Sequence, residues 1–143
     1  KVTDDDLIIL LSNDVEIRTD FVSQMTEIIS QRGNKVLIGG ILYSHDTGWN
    51  QFNGKIFPYI EGWLLALTKA GWVKLGNGFD ERYAPNDYED IDLSTAALEH
   101  GYELVPLNNP GLHHIGAQSI GYNPTRLERT NINKKKFEEK WVK

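Results

Sequence analysis

Leu7-Ile8-Ile9-Leu10-Leu11 is an unbroken apolar run, the pattern of a strand covered on both faces, and Ser12-Asn13-Asp14 ends it with polar turn residues. Thr19 or Asp20 stands where a helix cap belongs. Behind it Phe21, Met25, Ile28 and Ile29 fall on one stripe, and Gly33-Asn34 supplies a left-handed stop. Lys35–Tyr43 reads as a second strand of Val, Ile and Leu, in which Gly39-Gly40 marks a close approach by backbone or ligand. Strand, helix and strand in that order predict a parallel α/β sheet.

From Ser44 to Pro58 neither period is present, and the abundance of Gly, Asn, Asp and aromatics predicts a long loop. Tyr59–Leu67 reads as a strand interrupted at Gly62, Thr68–Leu75 as a short helix, and Gly76-Asn77-Gly78 as its exit. After an irregular Phe79–Asp87, a helix opens at Asp87 or Tyr88, runs through Ile91, Leu93, Ala97 and Leu98, and stops at Gly101. Tyr102–Leu107 is a further strand, Asn108-Asn109-Pro110-Gly111 a turn, and His113-His114 sit in the loop after it. No internal repeat is present.

Composition narrows the class. With 143 residues, 40% of them hydrophobic and 24% charged, the chain has the make-up of a globular domain. A formal charge of −5 gives no electrostatic footprint for nucleic acid. The absence of cysteine excludes disulfides, thiolate nucleophiles, zinc–thiolate sites and iron–sulfur clusters. The longest apolar runs fall far short of the ~20 residues of a membrane span, and no secretory leader pattern opens the chain. Its start, Lys-Val-Thr-Asp-Asp-Asp with no initiator Met, raises the expectation of a fragment or a processed chain. Arg126–Lys143 holds seven basic and three acidic residues, a local +4 that leaves −9 elsewhere. There Phe137 and Trp141 stand at i,i+4. They either dock a last helix onto the domain or lay it on an anionic membrane as a peripheral contact.

Three constellations can carry chemistry. Ser12-Asn13-Asp14 stands at the C-terminal end of a strand, where ligands gather in open α/β sheets and where Asp14 can hold a divalent cation or simply satisfy turn amides. Glu89-Asp90-Ile91-Asp92 puts three carboxylates into the first turn of a helix, where the helix dipole favours them whether or not they work. Glu89 and Asp92 share a face there, and Asp90 points elsewhere. The imidazoles of His113 and His114 suit a metal or a packing role, and Asp14 supplies a carboxylate if the two loops meet. Neither a glycine-rich phosphate loop nor a nucleophile elbow is present.

In order, Leu-Leu-Ser-Asn-Asp-Val-Glu (10–16), Glu-Gly-Trp-Leu-Leu-Ala-Leu (61–67), Gly-Phe-Asp-Glu-Arg-Tyr (78–83), Tyr-Glu-Asp-Ile-Asp-Leu (88–93), Gly-Tyr-Glu-Leu-Val-Pro (101–106) and His-Ile-Gly-Ala-Gln-Ser (114–119) resemble the inverting family 2 glycosyltransferases of the GT-A fold. The resemblance implies transfer of a sugar from a nucleotide-sugar donor to an acceptor hydroxyl with inversion. Ser12-Asn13-Asp14 matches that family's Asp-x-Asp motif, with Ser12 in place of the first Asp and Asp14 at the residue that meets the metal and diphosphate. Glu89-Asp90 matches its Glu-Asp motif, which makes Asp90 the base and Glu89 and Asp92 its orienting neighbours. His114, with His113 as substitute, matches a late metal ligand for Mn²⁺ or Mg²⁺, and Gly62 and Trp63 fall where the family lines the donor-sugar and acceptor pocket. Trp49, Phe52, Tyr59, Trp63 and Tyr83 are candidate sugar platforms, of which a good part belong to the core.

The implied architecture is an incomplete GT-A, Rossmann-like α/β sandwich, a mixed central sheet flanked by helices. Residues 1–125 form the transferase-like domain without the N-terminal nucleotide-binding unit, and 126–143 a basic C-terminal helix. A companion segment or a second copy is then expected to supply that unit. The acceptor is expected to be a glycan or a lipid-linked saccharide, and the setting cytoplasmic, at the inner face of a membrane in the lipid-linked case. The competing function is a glycan- or partner-binding remnant without turnover, and a metal-dependent phosphoesterase is a third reading with too few ligands.

Overall fold

The computed structural model describes residues 1–116 and 121–143. β1 (Leu7–Leu11) and β2 (Val15–Ile17) lead into α1 (Phe21–Arg32). Asp20 caps that helix by accepting the Ser23 N–H at 3.0 Å, and Gly33, at φ 85°, closes it with its N–H on the Ile29 carbonyl. β3 (Val36–Gly39) and β4 (Leu42–Tyr43) follow in place of one long strand. The break falls at Gly40, where a Cβ would strike the Trp63 indole, so the glycine pair serves the approach of a protein side chain.

The span read as a long loop contains a hairpin, β5 (Gln51–Phe52) and β6 (Lys55–Ile56). Asn53 and Gly54 form its turn, both at positive φ, the signature of a two-residue hairpin turn. Strands of two residues are too short to show a period. β7 (Tyr59–Ile60), β8 (Leu64–Thr68), α2 (Lys69–Lys74), a 3₁₀ turn (Glu81–Tyr83), α3 (Glu89–Glu99), β9 (Glu103–Pro106), β10 (Leu112–His114) and α4 (Pro124–Trp141) complete the chain.

The main sheet runs β1-β8-β3-β9, with β8 antiparallel to both neighbours and β3 parallel to β9. The sheet is therefore mixed and flanked by helices, as expected: β1, β3 and β9 run the same way, and within this sheet β8 opposes them. The strand covered on both faces is β8, which sends Leu64 and Ala66 into the α1 side of the core and Leu65 and Leu67 into the α2 and α3 side. β1 is the edge strand, and its Leu10 and Leu11 are 37% and 40% exposed, so its apolar run does not mean two covered faces. His113 and His114 lie within β10, paired with Glu16 and Val15 of β2, not in a loop.

A third cluster sits beneath α4, where the fully buried Phe137 meets Phe52, Phe57 and Tyr88 at ring-centroid distances of 5.2, 5.2 and 5.8 Å. Trp141 donates its indole N–H to Asp92 at 2.6 Å. The aromatic pair therefore docks the helix onto the domain. Among the described residues no helix is long and apolar enough to cross one. Phe137→Ala should cost about 3–5 kcal/mol, the usual range for truncating a buried phenylalanine. Urea denaturation measures it, and a loss below about 1 kcal/mol would mean that α4 is not part of the core.

Candidate active site

The chain enters α3 through two consecutive left-handed residues that are not glycine, Asp87 at φ 70° and Tyr88 at φ 79°. Such backbone costs on the order of 1–3 kcal/mol per residue and persists only where its surroundings enforce it. Here α4 enforces it. The Asp87 carboxylate accepts from Arg126 Nη2 at 2.7 Å, Arg126 Nε at 3.1 Å and Thr130 Oγ1 at 2.6 Å. The Asn133 amide donates to the carbonyls of Tyr83, Asn86 and Asp87, and the Tyr88 hydroxyl donates to the Trp49 carbonyl.

That turn delivers Glu89 and Asp90 as the first two residues of α3. Asp90 accepts the Gly62 N–H at 2.9 Å and the Ile91 N–H at 2.8 Å. A Cβ on Gly62 would lie 3.3 Å from Asp90 Cβ, so a side chain there would press the strand and the helix apart by a few tenths of an ångström. Oε2 of Glu89 is buried with no hydrogen-bond partner among the described residues. Burial raises both carboxyls above their ordinary range. For Glu89 the neighbouring Asp90 charge adds to it, whereas for Asp90 the Gly62 and Ile91 amides oppose it. The two amides thus favour the charged form of Asp90, and no such donor reaches Glu89 Oε2 among the described residues.

The second cluster forms at the end of β1. The β2–β10 ladder sets His114 opposite Val15, next to Asp14, and His114 Nε2 lies 3.3 Å from Asp14 Oδ1. The Ser12 hydroxyl donates to the same oxygen at 2.5 Å, and the Ile115 N–H donates to the Asp14 carbonyl. Trp63 stacks on the His114 ring, with centroids 5.4 Å apart and planes 15° from parallel. A carboxylate and an imidazole facing each other suit a first-row divalent cation, although among the described residues no three His, Asp or Glu side chains converge.

Two cavities adjoin these clusters. One of about 450 Å³ holds Glu89 and Asp90 with Trp49, Tyr59, Tyr88 and Arg126. The other, of about 620 Å³, holds His114, Trp63 and the exposed His113. Glu61 and Tyr122 line both. Of the residues singled out from sequence, Glu89 and Asp90 line the first cavity, with Gly62 bonded to Asp90, and Trp63, His113 and His114 line the second, with Asp14 and Ser12 reached through His114.

Asn13 is exposed on the turn and lines neither cavity. Asp92 is buried on the other side of the helix start, held by Tyr83, Lys140 and Trp141. It does not share Glu89's surroundings, because α4 brings it a cation and an indole N–H. Phe52 and Tyr83 belong to the core, and Trp49, 41% exposed, is the candidate platform left open to solvent. Ala117, Gln118 and Ser119 lie outside the described residues. Glu61 and Arg126 also line the first cavity, and nothing local in the sequence marks either as the wall of a cavity.

No family model, curated protein or solved structure matches the chain.

A carboxyl raised on folding binds its proton more tightly in the native state, so the stability it affects falls as pH rises above its ordinary value of 4.5. Glu89→Gln should leave stability near pH 5 almost unchanged and raise it at about pH 8 by on the order of 2 kcal/mol. Denaturation midpoints across that range test it, and a loss of stability at both values would contradict the burial argument.

Proposed function

We propose that this chain carries the metal-side and acceptor-side parts of an inverting, nucleotide-sugar-dependent glycosyltransferase site of GT-A type. The observation that supports it is Asp90, a half-buried carboxylate fixed by two amides at the wall of one cavity, beside a second cavity lined by His114, the imidazole of an imidazole–carboxylate pair with Asp14. In this reading the acceptor, a glycan or lipid-linked saccharide, occupies the first cavity with one hydroxyl on Asp90. As that oxygen bonds to the anomeric carbon, its proton passes to Asp90 and the bond to the nucleoside diphosphate breaks with its electrons on the phosphate oxygen. Glu89 lies beside the base, its carboxyl raised by burial and by the Asp90 charge.

Asp14 and His114 would hold Mn²⁺ or Mg²⁺, which when bound neutralises charge on the departing diphosphate. Ser12 orients the Asp14 carboxylate, and Trp63 orients the imidazole by stacking on it. Trp49 and Tyr122 flank the acceptor cavity with exposed rings suited to the apolar face of a pyranose.

The test is a nucleotide-sugar panel with saccharide acceptors and Mn²⁺. Asp90→Asn should lower turnover at least about 100-fold, the scale of a lost general base, and change Mn²⁺-dependent donor binding less than about twofold. His114→Ala should weaken Mn²⁺ itself. Saccharide binding that ignores EDTA, with no turnover on any donor, would identify a glycan-binding module instead.

A further inference from the structure

One carboxylate reaches both cavities, and it is fixed in place. Glu61 Oε2 accepts the Trp63 indole N–H at 2.9 Å, and Trp63 is 5% exposed and stacked on His114. The backbone on both sides is also tied, with the Glu61 N–H on the Ile41 carbonyl and the Gly62 N–H on Asp90. Glu61 therefore stands on the wall between the acceptor side and the metal side, unable to swing away without breaking the Trp63 contact.

The charge around it is not balanced. Among the described residues lining either cavity, Arg126 is the one Lys or Arg. Its guanidinium is already taken up by Asp87 through two hydrogen bonds, at 2.7 and 3.1 Å. The carboxylates of Glu61 and Asp90 thus face the cavities with no fixed cation against them. A second anion placed there meets like charges in a partly desolvated space, where repulsion is felt far more than in bulk water. Neutral hydroxyls and ammonium groups meet hydrogen-bond acceptors.

We infer that Glu61 determines specificity in the proposed transferase site, an inference that rests on that reading. It accepts hydrogen bonds from the sugar held across the two cavities and rejects acidic sugars by its fixed charge, so the acceptor class is a neutral or amine-bearing saccharide. Asp90 takes the proton, and Glu61 selects what is brought to it.

Three probes share one pyranose frame and differ in charge: the methyl glycosides of glucose, of glucosamine with an ammonium at C2, and of glucuronic acid with a carboxylate at C6. Their binding to the whole chain is followed by NMR titration in EDTA, so that no metal charge intervenes. The glucoside and the glucosaminide should bind at least about tenfold more tightly than the glucuronide, the order of discrimination expected from a like charge within one Debye length. Glu61→Gln keeps an oxygen for the Trp63 N–H but removes the charge. It should narrow the ratio to within about threefold and leave the Trp63 indole signal in place. Glu138→Gln, an exposed site on α4, should leave the ratio as it is. Equal binding of the three glycosides by the unaltered protein, or a ratio untouched by Glu61→Gln, overturns the inference and leaves the transferase reading standing. Failure of all three to bind overturns both.

Discussion

The hydrogen bond from the Gly62 amide to the Asp90 carboxylate joins the centre of the sheet to the start of α3, and much of the molecule is arranged around it. Position 62 meets Asp90 closely enough to leave little room for a side chain, and the chain enters the helix through two left-handed residues. Neither condition is favourable in itself. The cost is offset by α4, whose Arg126, Thr130 and Asn133 grip the strained turn and whose Phe137 fills the core beneath it. The C-terminal helix is thus the brace of the acid pair, and its basic residues are partly consumed in that task.

The charges divide into two groups with opposite effects on stability. Asp80 is held below the usual carboxylate range by Arg82, and Asp87 is held low by Arg126 and Thr130 against the upward pull of burial. Those interactions stabilise the fold above the ordinary carboxylate pKa and fade as acid protonates them. Glu89 and Asp90 are raised, and their burial weighs on the fold as pH increases. A fold that keeps two such carboxyls at a cavity wall accepts a structural disadvantage where chemistry would use it.

What the sequence revealed follows from range. The cap at Asp20, the stop at Gly33 and the acid pair at the start of α3 rest on neighbours within a few residues, and each is legible locally. The edge position of β1 was not, because an apolar run reads alike at an edge and in a centre, and only pairing separates it from β8. Asp92 has the same neighbours in sequence as Asp90, yet Lys140 and Trp141, nearly fifty residues on, turn it into the interior. Glu61 is illegible locally for the same reason: its place comes from the two cavities that meet at it.

The central claim is that the imidazole–carboxylate pair and the acid pair form one site. The most direct measurement is paramagnetic broadening by Mn²⁺ in the NMR spectrum of the whole chain. The account predicts that broadening is strongest at His114 and the Trp63 indole, extends to the Gly62 and Asp90 amides, and disappears in His114→Ala. Broadening confined to Asp4, Asp5 and Asp6 at the chain start, or a pattern unchanged by His114→Ala, would contradict it.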